Sequence, residues 1–235
     1  MATVVLIRHG RTTANSSGTL AGRLPGVRLD AVGQEQVANA AARLAEVPLS
    51  VMVVSPLVRC RETAAAVAAA QSGAPEQIIE RGVVECDYGE WQGRPLKELS
   101  REPLWKVVQA HPAAARFPGG ESLADMQARA VAAVRRHDAA QDPGAVWAVV
   151  SHGDLIKALL ADALGMHLDL FQRLQVDPAS ISIVRYGETR PHVFAMNTHA
   201  GDLGWLRPPP KTRTRSRKHR EDAAVGGGAG PGAPA

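Results

Sequence analysis

The chain of 235 residues has few cysteines, few aromatic side chains and no long apolar run. Its two cysteines, Cys60 and Cys86, are too few for a disulfide scaffold or a cysteine-rich zinc site, so we expect buried, reduced thiols. The longest uncharged apolar run, residues 64–70, is far shorter than the roughly 20 residues that span a bilayer. The first apolar run, residues 4–7, is too short for the core of a signal peptide. These features predict a soluble, cytoplasmic protein.

Positive charge is concentrated at one end of the chain. The formal net charge is +4, but residues 206–235 alone carry +5, from seven Lys or Arg against two acidic residues. Residues 1–205 contain 20 basic and 21 acidic residues and are close to neutral. A nearly neutral body does not favour nucleic-acid binding, whereas the basic tail could contact a polyanion.

The tail, residues 206–235, differs from the body in composition as well as charge. Three prolines at residues 208–210 are followed by alternating basic residues and then by a Gly, Ala and Pro-rich stretch. Such a segment has almost nothing to bury, so we predict that it is disordered and that removal of residues 208–235 leaves folding and turnover nearly unchanged. A solvated extension and a polyanion-binding tether both remain open as its role.

In residues 1–205, short β-branched runs alternate with longer amphipathic stretches. Strands are predicted at Val4–Ile7, Val51–Val54, Ile78–Ile79, Val146–Val150, Ile181–Tyr186 and His192–Met196. Helices are predicted after Asp30, from Ser55-Pro56 to about Gln71, at Leu96–Ala110, at about 122–140 and at Asp154–Leu164 before Gly165. This alternation predicts one α/β domain with a largely parallel sheet flanked by helices.

Three of the predicted strands are followed by basic or histidine residues. Arg8 and His9 follow the first strand, Arg59 follows the second after a short turn, and His152 follows the strand that begins at Val146. Active sites of such sheets lie beyond the carboxyl ends of the strands, so we expect these side chains to share one edge.

Two histidines at one edge are also compatible with a metal site. A cation beside Arg8 and Arg59 would be repelled by both guanidinium groups, whereas a phosphate dianion would be bound by them. The residues therefore favour an anion site over a metal site.

Over about residues 3–200, the sequence resembles the histidine phosphatases of the phosphoglycerate mutase-like superfamily. The matching motifs, in chain order, are Leu6-Ile7-Arg8-His9-Gly10-Arg11-Thr12 with Asn15, Ser55-Pro56-Leu57 with Arg59 and Thr63-Ala64, Glu85-Cys86-Asp87-Tyr88-Gly89-Glu90-Trp91-Gln92-Gly93, Pro118-Gly119-Gly120-Glu121-Ser122, and Ser151-His152-Gly153. Five motifs in the family's order are hard to obtain by chance. The resemblance does not extend to the tail.

The resemblance implies a role for each residue at the strand ends. It makes His9 the nucleophile, Arg8, Arg59 and His152 the phosphate pocket, and Glu85 the acid that protonates the leaving group. The chemistry agrees, because two neighbouring arginines favour a neutral, nucleophilic His9 and can stabilise the charge of a transferring phosphoryl group without a metal. No cofactor is expected.

Several further positions carry predictions of their own. Asp87 is the second candidate for the acid role, and Thr12 and Asn15 are expected either to touch the phosphoryl group or to serve as turn residues. Arg11 departs from the Glu often found there in the family and is expected to make the entrance more positive.

Ser151 should point away from the site, because it precedes His152 on a strand. Trp91 and Trp105 could line the substrate mouth or pack in the interior.

The resemblance and the residues together favour hydrolysis of small phosphomonoesters through a phosphohistidine. Two alternatives remain: a phosphoglycerate mutase, which returns the phosphoryl group to an organic acceptor, and a phosphate-ester binding protein without turnover. The presence of both a nucleophile and an acid argues against the binding protein. The natural substrate, any mutase activity and a homodimeric state are left open.

Overall fold

The computed structural model describes residues 1–199 together with Val225, Gly226 and Gly228. Six strands form one sheet in the order β3-β2-β4-β1-β5-β6. The strands are β1 (Thr3–Arg8), β2 (Leu49–Val54), β3 (Glu76–Ile79), β4 (Val146–Ser151), β5 (Ile181–Tyr186) and β6 (Pro191–Thr198). The first four are parallel, while β5 and β6 run antiparallel at one side. The prediction of an α/β domain with a largely parallel sheet is confirmed.

Seven helices connect or cover the strands within the described residues. They are α1 (Thr13–Ser17), α2 (Ala31–Leu44), α3 (Val58–Ala69), α4 (Leu96–Leu99), α5 (Pro103–Ala110), α6 (Leu123–Ala139) and α7 (Gly153–Ala163). Asp30 and Ser122 cap α2 and α6 by accepting main-chain N–H groups of the first turn, as the sequence predicted. Gly165, with φ of +66°, follows the end of α7.

The alternation of strand side chains divides the core between the two faces of the sheet. Val4 and Leu6 belong to the cluster that includes residues of α6 and α7, and Val5 and Ile7 to the cluster that includes residues of α2 and α3. Burying each such side chain contributes roughly 1.5–3 kcal/mol, so both faces hold β1 in the centre of the sheet. This fixes where the carboxyl end of β1 delivers the next residues.

Two helix predictions need correction. The single helix predicted over Leu96–Ala110 is two helices, because Pro103 has no N–H to continue a helix and forces Glu102 into an extended conformation. The helix predicted from Ser55-Pro56 begins only at Val58, since the turn after β2 occupies the preceding residues.

Most of the tail lies outside the described residues. The prediction that the tail is disordered therefore falls mainly on residues that the structure does not describe. Of its residues, Val225 is buried against the body, a contact that the composition did not suggest. No helix among the described residues is both long and apolar enough to cross a membrane.

Candidate active site

The carboxyl ends of β1, β2 and β4 bring the predicted residues together. His9 donates its main-chain N–H to the carbonyl of Ser151 at 2.9 Å, and Ser55 donates to the carbonyl of Val150 at 3.0 Å. These bonds continue the sheet one residue beyond each strand, so the two histidine rings that follow β1 and β4 lie with centroids 5.3 Å apart. The expected convergence at one edge is therefore present.

His9 is held as a neutral imidazole with a defined tautomer. Its Nδ1 lies 2.7 Å from the carbonyl of Gly10, which can only accept, so Nδ1 carries the proton. Its Nε2 accepts from Nε of Arg59 at 3.2 Å. Burial lowers the pKa of His9 well below its ordinary value, and the charges of Arg59 and Arg8 lower it further. The lone pair of Nε2 is thus available for nucleophilic attack at neutral pH.

Gly10 is required by the close approach of α2 to the end of β1. A Cβ atom at Gly10 would lie 2.5 Å from the carbonyl oxygen of Gly33 and 2.7 Å from a methyl carbon of Val37. Any side chain at Gly10 would push α2 and the His9 backbone apart.

Arg59, in the first turn of α3, contacts both histidines and still has donor capacity. Its Nη2 donates to the carbonyl of Gly22 at 2.8 Å and lies 3.2 Å from Nδ1 of His152. Its Nη1 is buried and has no hydrogen-bond partner among the described residues. A buried guanidinium nitrogen without an acceptor is costly, and an anionic oxygen would satisfy it.

His152 is fixed by partners on either side. Because Arg59 can only donate, Nδ1 of His152 accepts and Nε2 carries the proton, which it donates to Oγ of Ser55 at 2.7 Å. Burial lowers the pKa of His152 well below its ordinary value, and Arg59 adds to the effect. Ser151 directs its hydroxyl away, to the carbonyl of Val83, as predicted. The sequence did not predict that Ser55 would contact a histidine of the site.

The two cysteines are free and buried, as expected. The Sγ atom of Cys60 lies 3.5 Å from Nε2 of His152. Burial raises the pKa of Cys60 to about 12, so this thiol is not a nucleophile despite its position.

Glu85 is a buried carboxyl beside the histidines. Its Oε1 accepts the main-chain N–H of Cys86 at 2.9 Å. Burial raises the pKa of Glu85 to about 7, and the charge of Asp154 acts in the same direction. A large fraction of Glu85 is therefore protonated at neutral pH, as a general acid must be. The main cause of the raised pKa is burial.

The main chain at Glu85 is clamped by two arginines. Arg23 Nε and Arg129 Nη2 both donate to the Glu85 carbonyl, at 2.8 and 3.1 Å. The same two guanidinium groups share the carboxylate of Glu121, at 2.8 and 2.6 Å. Neither arginine was identified from the sequence, because nothing in the local pattern links residues so far apart.

Asp87, the second candidate for the acid, is directed elsewhere. Its carboxylate accepts from the Gly89 N–H at 3.1 Å and from Arg23 Nη1 at 3.3 Å, and about a third of its side chain is exposed. Asp87 is also not among the residues that line the cavity beside His9, so its position does not favour the acid role.

Thr12 and Asn15 form the N-terminal cap of α1. Thr12 Oγ1 accepts from the Asn15 N–H at 3.2 Å, and Asn15 Oδ1 accepts from the Thr12 N–H at 3.0 Å. Asn15 therefore lies in a short helix and not in a loop turn. Arg11 pairs with Asp30 at 2.9 Å, which offsets the positive charge expected at the entrance.

Trp91 and Trp105 are buried and stacked, with ring centroids 6.2 Å apart. They pack in the interior, which settles the alternative left open by the sequence.

A narrow cavity of about 30 Å³ opens beside His9, Arg59 and Glu85. Its lining combines His9, Arg59 and Glu85 with Thr12, Ala14, Asn15, Thr19, Leu20, Ala21, Gly22, Leu96, Val225, Gly226 and Gly228. Arg8 and His152, the other predicted pocket residues, are fully buried and are not among the residues that line this cavity. Arg8 donates to the carbonyl of Val176 at 2.8 Å, and burial lowers its pKa to about 10.

Metal coordination was the other chemistry considered for the histidines. The described part of the chain contains no group of three or more His, Cys, Asp or Glu side chains arranged to hold a metal ion.

The chain is similar in sequence and in fold to several known proteins. A bifunctional protein of Mycobacterium tuberculosis is 36% identical over 186 residues, which is 78% of this chain and 50% of that protein. The chain thus spans about half the length of the first curated relatives that it matches. Phosphoserine phosphatase 1 of Hydrogenobacter thermophilus is 30% identical over 211 residues, covering 86% of this chain and 96% of that protein.

Among solved structures, a putative α-ribazole-5′-phosphate phosphatase from Escherichia coli superposes with a TM-score of 0.75 at 25% identity. The match covers 84% of this chain and 96% of that one. The family model of the histidine phosphatase superfamily (branch 1) matches residues 4–199. The chain belongs to the histidine phosphatase superfamily.

Proposed function

We propose that this protein hydrolyses small phosphate monoesters through a phosphohistidine on Nε2 of His9. The observation that supports the proposal is the arrangement of His9 and Arg59 around Nε2. A neutral His9 with an available lone pair lies beside Arg59, whose buried Nη1 has no partner among the described residues. An ester phosphate is the ligand that would accept from the guanidinium group and receive the lone pair.

In the first step, Nε2 attacks phosphorus while the bond from phosphorus to the ester oxygen breaks. Arg59 Nε exchanges its contact with Nε2 for a phosphoryl oxygen, and Glu85 gives its proton to the departing oxygen. In the second step, water attacks the phosphohistidine. Glu85 takes a proton from that water, the bond from nitrogen to phosphorus breaks and its electron pair returns to Nε2. Both steps use the same carboxyl in opposite directions, which suits a pKa of about 7.

A screen of phosphate release across phosphorylated hydroxy acids, amino acids, sugars and nucleotides tests the proposal and identifies the substrate class. We include O-phosphoserine, because a relative carries the name phosphoserine phosphatase. We expect release of inorganic phosphate and, after rapid quenching, acid-labile and base-stable phosphate on the protein. Absence of both with every ester would contradict the proposal.

Phosphoglycerate mutase chemistry is the second candidate, since it would use the same pocket. The hydrolase is favoured because α4, α5 and α6 occupy much of the interval between Glu85 and His152, leaving little chain there to shelter a phosphohistidine from water. We expect negligible interconversion of 2- and 3-phosphoglycerate, even after priming with 2,3-bisphosphoglycerate. Primed interconversion much faster than phosphate release would favour the mutase.

A further inference from the structure

The described residues of the tail lie in the cavity beside the catalytic residues. Val225 is buried, with 1% of its surface exposed, although it belongs to a segment rich in Gly and Ala. Val225, Gly226 and Gly228 line the same cavity as His9 and Glu85. This is the face from which a leaving group would meet its proton donor, if the proposed function is correct.

A specific hydrogen bond anchors this contact. The main-chain N–H of Gly226 donates to Oδ2 of Asp154 at 2.8 Å, and the hydroxyl of Tyr88 donates to the same oxygen at 2.8 Å. Asp154 is fully buried in the first turn of α7, two residues after His152. A hydrogen bond to a buried carboxylate is stronger than one between neutral groups, so the tail is attached to the body at a defined point.

The fit at Gly226 is also steric. Gly226 has a φ of +74°, a conformation that favours glycine. A Cβ atom there would lie 2.8 Å from Cδ1 of Leu20, another residue of the cavity lining. Docking of the tail at this point therefore requires glycine at position 226.

The remaining space is too small for the proposed substrate. The cavity measures only about 30 Å³, against roughly 10–15 Å³ for a single water, so it leaves space for little more than a few water molecules. A phosphate ester cannot enter beside His9 while Val225 and Gly226 are in place.

We propose that Val225 and Gly226 form a plug that competes with the substrate for the leaving-group side of the active site. Asp154 and Tyr88 hold the plug in the resting state, and the anion affinity of Arg59 opposes it. Substrate binding displaces the plug, and product release allows it to return. The protein is thus restrained by its own tail, and its apparent affinity for an anion depends on the fraction of molecules in which the plug is undocked.

Two truncations separate the plug from the rest of the tail. A chain lacking residues 224–235 loses the plug but keeps all basic residues of the tail, while a matched control lacking residues 229–235 keeps Val225, Gly226 and Gly228. The measurement is the Kd of orthovanadate by calorimetry. If nine molecules in ten are plugged, the longer truncation tightens binding roughly tenfold, and the control matches the full chain. Unchanged or weaker binding in the longer truncation would overturn the proposal, since weaker binding would make the segment part of the anion site.

A second measurement follows docking without any turnover. In Val225→Cys, the new thiol should react slowly with a maleimide, and saturating inorganic phosphate should accelerate the reaction. The unsubstituted chain gives the background rate, because Cys60 and Cys86 are buried. A labelling rate that phosphate does not change would contradict the plug. Because neither readout needs catalysis, a protein without phosphatase activity could still show the plug, and an active phosphatase could lack it.

Discussion

The two sides of the active site are built in different ways. The phosphate side consists of His9, Arg59 and His152, which follow three neighbouring strands and are joined by hydrogen bonds to one another. The leaving-group side consists of Glu85, loop residues and three residues of the tail, and Gly226 is 72 positions from the carboxylate that holds it. The first side is fixed by the sheet, whereas the second depends on contacts between distant segments.

Because of this difference, we expect one side of the site to determine the reaction type and the other to determine which substrates are accepted. Under the proposed function, the phosphate side offers a neutral nucleophile and a buried guanidinium donor to any phosphate ester, so it would set the reaction type. The leaving-group side sets the proton donor, the space for the rest of the substrate and, under our proposal, access. Changes on the phosphate side should therefore affect all substrates equally, and changes on the other side should depend on the leaving group or on the pH.

The largest effect is expected for His9→Ala. Removing the nucleophile should lower turnover by at least about 10⁴-fold for every ester, because the phosphohistidine cannot form. Steady-state phosphate release and trapping of the phosphoenzyme both report this loss. His111→Ala, at an exposed histidine remote from the cavity lining, is the matched control and should behave like the unsubstituted protein. Substantial activity in His9→Ala would refute the mechanism.

Glu85→Gln should separate substrates by their leaving groups. Loss of the acid should slow alkyl phosphates by roughly 10² to 10⁴-fold, yet spare phenyl esters whose leaving oxygen needs no proton. The ratio of kcat/KM values for the two ester types is the measurement. Asp87→Asn is the control and should leave the ratio unchanged. Equal losses on both ester types would remove Glu85 from the acid role, and a changed ratio in Asp87→Asn would transfer that role to Asp87.

Sequence reasoning predicted that His9, Arg59 and His152 converge, because each of them follows an apolar strand within a few positions. It identified Glu85 only through a family motif, since nothing local shows that this carboxyl is buried. It missed Arg23 and Arg129 because their shared contact with the Glu85 carbonyl arises from packing between distant segments. The break before Pro103 had a local signal, but the apolar spacing of Leu96–Ala110 was given more weight. The tail contact had no local signal, since Val225 is the one large apolar residue in a stretch of Gly, Ala and Pro.

A smaller effect is expected when the charge of Asp154 is removed. Asp154 raises the pKa of Glu85, so Asp154→Asn should lower it. Glu85 acts as an acid only while protonated, and activity is lost as the pH rises through its pKa of about 7. The alkaline limb of kcat/KM for an alkyl phosphate should therefore move to lower pH in the variant, while the rate at mildly acid pH is nearly retained.

The buried Lys157 would lose its ion-pair partner in this variant, because its Nζ lies 3.5 Å from Asp154 Oδ1. The double variant Asp154→Asn with Lys157→Met avoids an unpaired buried charge and should show the same shift if the fold of Asp154→Asn is impaired. An alkaline limb that does not move in either variant would show that burial alone sets the pKa of Glu85.

The smallest effect, no change at all, is expected on treatment with a chelator. A metal bridging the two histidines would need a lone pair from each, but Nε2 of His152 donates to Ser55 and Nδ1 of the same ring accepts from Arg59. The remaining lone pair, on Nε2 of His9, is also directed at the Arg59 guanidinium, which would repel a cation. Phosphate release should therefore be the same before and after dialysis against EDTA. Loss of activity that Zn²⁺ or Mg²⁺ restores would show that a cation, and not the guanidinium groups, supplies the positive charge on the phosphate side.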